Sequence, residues 1–129
     1  MTDPIAAVKA FFAGMDTTSL DDAAKALASS VTDDFIWKNT GLPDANGPQG
    51  AADFLLSFGQ AMPLAGLKVD ILAIAAQGNT VVTERVDHLC SADGTPLVSI
   101  ELAGVLEVAD DGKIRAWRDY FDPRPFLAG

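Results

Sequence analysis

Two short runs carry charge into segments that otherwise read as apolar strands: Val81-Val82-Thr83-Glu84-Arg85-Val86-Asp87-His88-Leu89 and Trp117-Arg118-Asp119-Tyr120-Phe121. Strand alternation puts Arg85 and Asp87 on one face with Val81, Thr83 and Leu89, and Glu84, Val86 and His88 on the other. Whichever face is inside must therefore accommodate a charged or polar group. Left in water, Arg85 and Asp87 form a surface ion pair worth about 0–1 kcal/mol and carry no function. Turned inward with Asp119, they place two carboxylates and one guanidinium in an apolar cavity that cannot easily solvate the surplus negative charge. One acid then tends to hold a proton, and the cluster becomes a proton donor and a base bridged by Arg85. Spacing alone leaves both readings open.

In Phe35-Ile36-Trp37-Lys38-Asn39 the same alternation groups Phe35, Trp37 and Asn39. An inward Asn39 offers one acceptor and two donors, enough to hold a water. It serves equally well to end the strand before Gly41. With one His and one Cys in the chain, neither a metal cluster nor a nucleophile–base–orienter triad of the usual kinds can be assembled, so no metal is expected. His88 reads as a surface or interface residue, and Cys90 as a small buried hydrophobe. No glycine run forms a phosphate cradle ahead of a helix.

These residues need a scaffold, and the hydrophobic periodicity supplies one. Ile5, Val8, Phe11 and Phe12 recur at helical spacing behind Asp3-Pro4, and Gly14 stops the helix. Ser19 followed by Asp22 caps a second helix through Ala23, Ala24 and Leu27. A third spans Gln49 to Met62 and is stopped by Pro63. Between the second and third helices lie the short strand Phe35-Ile36-Trp37 and a turn-rich loop from Thr40 to Gly50. The period then changes to two, and Gly78-Asn79, Asp93-Gly94 and Asp110-Asp111-Gly112 separate four strands. Helices followed by an antiparallel run predict an α+β domain with helices on one face of a sheet.

The chain of 129 residues, 49% hydrophobic and 21% charged, has the size and composition of one folded domain, 1–129. A formal charge of −9 repels phosphate backbones and anionic lipid, so no nucleic-acid or membrane partner is expected. Lacking a second cysteine, a signal-type leader and a spanning run, the sequence reads as a soluble cytoplasmic protein.

At Thr83-Glu84-Arg85-Val86-Asp87 and Trp117-Arg118-Asp119-Tyr120-Phe121-Asp122 the sequence closely resembles the limonene-1,2-epoxide hydrolase family, and the likeness extends from the first helix to about Phe126. The resemblance implies a cone-shaped α+β fold, in which a strongly curved, mixed but mostly antiparallel sheet and three helices enclose an apolar pocket, as in ketosteroid isomerase and scytalone dehydratase. It implies hydrolysis of a small hydrophobic epoxide to a vicinal diol, without a cofactor. Arg85, Asp87 and Asp119 fall on the family's catalytic Asp-Arg-Asp set. The acid matching Asp119 takes a proton from water while the one matching Asp87 protonates the epoxide oxygen. Asn39 matches one water-positioning residue, but Trp37 stands where the family has tyrosine, and an indole can donate a hydrogen bond but cannot accept one. Leu89, Ile100, Leu102 and Phe121 match substrate-pocket positions, and a homodimer through the outer sheet face is implied. Two other functions stay open: a same-fold isomerase, dehydratase or cyclase, and a non-catalytic small-ligand-binding protein.

Overall fold

The computed structural model describes residues 3–126. Helix α1 (Pro4–Met15) starts at Asp3, whose Oδ1 accepts from the backbone N–H groups of Ile5 and Ala6 at 3.0 and 3.3 Å. Pro4 sits where a missing N–H costs nothing. Helix α2 (Leu20–Ser29) is capped by Ser19, whose Oγ accepts from Asp22 N. These caps satisfy donors that a helix leaves unpaired at its start. Val8, Phe11, Phe12 and Met15 of α1 and Ala23, Ala24 and Leu27 of α2 are buried together in one core.

Helix α3 (Gly47–Ala61) begins two residues before the expected Gln49, because Gly47 takes a positive φ of 72° and Pro48 fits the first turn. The strands are β1 (Val31–Asn39), β2 (Ala45–Asn46), β3 (Gly66–Gln77), β4 (Thr80–Cys90), β5 (Pro96–Val108) and β6 (Ile114–Tyr120). Two of them correct the reading of the sequence. β1 begins four residues before Phe35, and the two-residue β2 lies inside the stretch expected to be loop alone, pairing with Ile36 and Trp37. Two residues of backbone pairing leave no periodicity to detect. Phe121, grouped with the last strand in the sequence, lies just past the end of β6.

The strands form one sheet in the order β2-β1-β6-β5-β4-β3. β1 and β6 run parallel; the other neighbours are antiparallel. The sheet is thus mixed and mostly antiparallel, within an α+β fold. Register shifts at Ile71/Ala73, Leu89/Cys90 and Glu107/Val108, and between Val31 and Ile36 of β1, insert bulges that bend it. On the inner face Phe35, Trp37, Val81, Leu106 and Trp117 meet the helices, whereas Ile36, Val82 and Tyr120 remain exposed. The alternation read from β4 therefore has the Arg85 face inside.

A tight backbone contact ties the α1–α2 connection to the start of β3: Leu67 N donates to Thr17 O at 3.0 Å. Gly66 makes it possible, since a Cβ there would overlap Thr17 O. Gly66→Ala should lower stability by about 1–3 kcal/mol through overpacking. Gly14→Ala, whose Cβ would meet only Ala26 Cβ at an ordinary 3.8 Å, should be neutral or stabilising, as alanine favours helix. Urea midpoints at unchanged slope would check both.

Candidate active site

Two cross-strand rows on the inner face build the site. One runs Thr83, Gly104, Asp119, Asn39 across β4, β5, β6 and β1; the next runs Val81, Leu106, Trp117, Trp37. Because Gly104 has no side chain, the middle of the first row is open, and Arg85 reaches into it. A Cβ on Gly104 would overlap both Arg85 Nη1 and Asp119 Oδ1. An isolated glycine in a strand marks such a close approach.

Arg85, completely buried, makes four hydrogen bonds to side chains. Nε donates to Asp87 Oδ1 at 3.1 Å, and Nη1 to Thr83 Oγ1 at 3.0 Å. Nη2 donates to Asp87 Oδ2 at 2.9 Å and to Asp119 Oδ2 at 2.8 Å, so one nitrogen bridges the two carboxylates. Thr83 passes its own hydroxyl hydrogen to Gly104 O at 3.1 Å. The guanidinium carbon lies 4.4 Å from the centre of the Phe12 ring, close enough for a cation–π contact. Asp119 is held on its other oxygen, where Trp117 Nε1 donates to Oδ1 at 2.7 Å. Asp87 is the more open acid, with 18% of its side chain exposed against 3% for Asp119.

Burial, the largest effect, pushes the Asp119 carboxyl up to about 6; the charge and hydrogen bond of Arg85 oppose it, the nearby Asp87 adds to it, and Trp117 N–H opposes it. Burial also works against the Arg85 charge, but the two carboxylates outweigh it and hold the guanidinium above its ordinary range. With both acids ionised the cluster carries a net negative charge in an apolar surround, and a proton on either carboxyl would neutralise it.

Asp87 and Asp119 open into a cavity bordered by Trp37, Asn39, Leu89, Ile100, Leu102 and Phe121. The two acids, both water-positioning candidates and all four pocket positions expected from the sequence therefore meet there, while Arg85 does not line the cavity and bridges the acids from within the protein. Two buried donors in this wall, Trp37 Nε1 and Asn39 Nδ2, have no hydrogen-bond partner among the described residues. Leu55 and Phe58 of α3 also border the cavity, while Leu20 and Leu27 of α2 pack in the core. His88 also borders the cavity, but both its ring nitrogens are engaged, Nδ1 2.8 Å from Ser99 Oγ and Nε2 2.9 Å from Asp70 Oδ2. Cys90 is buried and free. Tyr120, between Asp119 and Phe121, is exposed on the opposite face.

Sequence reasoning missed three participants: Thr83 and Trp117 as hydrogen-bond partners of the charged groups, and Gly104 as the gap that admits Arg85. Face alternation already placed Thr83 beside Arg85, and an N–H two residues before an inward acid was the available signal for Trp117.

A buried acid–guanidinium–acid cluster thus borders an apolar pocket, on a bent sheet closed by helices. The sequence profile of the limonene-1,2-epoxide hydrolase catalytic domain matches residues 2–129, and the chain belongs to that family. It is 36% identical over 123 residues to epoxide hydrolase EphG of Mycobacterium tuberculosis, covering 95% of this chain and 76% of that protein. A solved epoxide hydrolase of the same type from M. tuberculosis superposes with a TM-score of 0.71 at 33% identity, over 94% of this chain and 79% of the other. A protein from Catenulispora acidiphila with a ketosteroid isomerase-like fold, solved with trimethylamine, gives a TM-score of 0.69 at 18% identity, over 90% and 85% of the two chains. That last likeness shows the fold alone.

Gly104→Ala should force Arg85 and Asp119 apart and leave buried charge poorly paired, at a cost of about 3 kcal/mol or more. Thermal unfolding against Ala103→Gly, on the exposed face of the same strand, would check it. Only the Gly104 variant should lose several degrees.

Proposed function

We propose that the protein adds water to a small hydrophobic epoxide in one step and releases a vicinal diol. The observation that carries this reading is the single Arg85 nitrogen donating to Asp87 and Asp119 at once. A strained three-membered ring opens when a nucleophile attacks carbon as its oxygen is protonated. A positioned base and acid on one rigid bridge can do both without a covalent enzyme intermediate.

Asp119 is the base. It lies beside the unpaired donors Trp37 and Asn39, Asn39 being its cross-strand partner on β1. Burial makes its carboxylate a stronger proton acceptor than one in water, while it stays mostly ionised at neutral pH. A water can accept from Trp37 Nε1–H and give its two hydrogens to Asp119 and to Asn39 Oδ1. Its second lone pair is then free to attack. That arrangement requires a half-turn of the Asn39 amide, which exchanges oxygen for nitrogen at little steric cost. Trp37 therefore replaces the family tyrosine as a donor, the one property of the phenol the water needs.

Asp87 is the acid. It is the more exposed carboxyl of the pair, and it gives its proton to the epoxide oxygen as the C–O bond breaks. The proton leaving water goes to Asp119, so the cluster carries the same charge before and after the step. Asp87 recovers its proton from solvent and Asp119 releases the one it took. Leu89, Ile100, Leu102 and Phe121 offer an apolar wall, which suits a substrate whose one polar atom meets Asp87.

Asp87→Asn and Asp119→Asn should each lower kcat for a small epoxide by about 100-fold or more with the fold retained, read as diol formed. Wild-type kcat/KM should fall as the pH drops through about 6, because protonating Asp119 removes the base. Trp37→Phe, which deletes the donor, should lose about tenfold, whereas Trp37→Tyr should keep activity. An enzyme whose Asp119→Asn variant still forms diol would contradict the assignment.

A further inference from the structure

Trp117 takes no part in that scheme, yet it makes the shortest hydrogen bond to either acid, 2.7 Å from Nε1 to Asp119 Oδ1. The two residues share the inner face of β6 because they are two apart. The indole is held rigidly. It stacks on Trp37 with ring centres 4.3 Å apart and planes 7° from parallel. Phe11 and Phe12 of α1 meet it at near right angles, at 5.3 and 5.5 Å. A ring so enclosed cannot turn its N–H elsewhere without repacking its three aromatic neighbours.

An indole nitrogen only donates. It satisfies a carboxylate oxygen that accepts and opposes a proton resting on that same oxygen. Arg85 holds Oδ2 in the same sense. With one fixed donor on each oxygen, the plane of the carboxylate is set, and its remaining lone pairs are left for the cavity.

We propose that Trp117 is a positioning residue for the reaction: a rigid, donor-only clamp that fixes the Asp119 carboxylate and keeps it an acceptor between turnovers. The catalytic consequence rests on the reading of Asp119 as the base. The charged groups facing Asp119 are Arg85 and Asp87, both from β4. β5 presents Gly104, β1 the neutral Asn39, α1 the rings of Phe11 and Phe12, and α3 Leu55 and Phe58. Lys68 of β3 and His88 border the same cavity, and both ring nitrogens of His88 are already engaged.

The test follows the indole N–H resonances of the folded protein by NMR across pH 4 to 9. The chain has two tryptophans, and Trp37→Phe or Trp117→Phe assigns them. The Trp117 signal is expected to titrate with a midpoint near 6, following Asp119, and to lose that titration in Asp119→Asn. A Trp117 signal indifferent to the Asp119→Asn change would overturn the proposal. In Trp117→Phe, kcat/KM for a small epoxide should fall about tenfold on the acid side and recover as the pH rises, with KM little changed. An equal loss at every pH would mark a packing role and also overturn it. The NMR titration needs no substrate and no folded Trp117 variant. If the titration behaves as expected while no epoxide is consumed, the reading as a hydrolase fails and the clamp stands.

Discussion

A guanidinium with no surface in water must have both its charge and its N–H groups answered from inside the protein. Arg85 obtains this from Asp87, Asp119 and Thr83, with Phe12 against its face. Stripping one partner from such a buried pair typically costs about 3–5 kcal/mol, far more than a surface pair is worth. The arrangement is therefore held by necessity on all sides. The same constraint bears on the proposed chemistry, because two acids sharing one cation in a dry place are not both easily ionised.

The architecture follows from giving that cluster somewhere to form. Its acids come from β4 and β6, which are not neighbours, and the strand between them, β5, offers no side chain at the crossing point. Gly104 thus lets Arg85 span the width of a strand. The parallel pairing of β1 with β6 brings Asn39 beside Asp119 and stacks Trp37 on Trp117. Bulges bend the sheet so that helices can cover its inner face and keep water from the charges. A similar fold accompanies quite different sequences, and what distinguishes this one is the chemistry set into its floor.

Much of this was legible in the amino-acid sequence, and the reasons are physical. Period-two alternation requires Arg85 and Asp87 to share a face, and period-3.6 runs announce three helices, two of them behind a capping side chain. The motifs around Arg85 and Asp119 carry the family likeness. The pairing of β2 was not legible, since two residues of backbone hydrogen bonding impose no side-chain pattern. Nor could the approach of Arg85 to Asp119 be derived from spacing, because it depends on a gap opened by a glycine in a third strand. The role of Trp117 was hidden for a similar reason: an inward tryptophan ordinarily signals core, and its N–H matters only once Asp119 is known to lie against it.

The central claim is that water attacks the substrate directly, activated at Asp119, with no carboxylate entering the product. One measurement tests it most directly: a single turnover of a small epoxide, enzyme in excess, in water enriched in heavy oxygen. The diol formed in that first turnover is predicted to carry the heavy atom, and the peptides containing Asp87 and Asp119 to carry none. An unlabelled diol, with the heavy atom appearing afterwards in either carboxylate, would mean that an aspartate attacks first and would contradict the account.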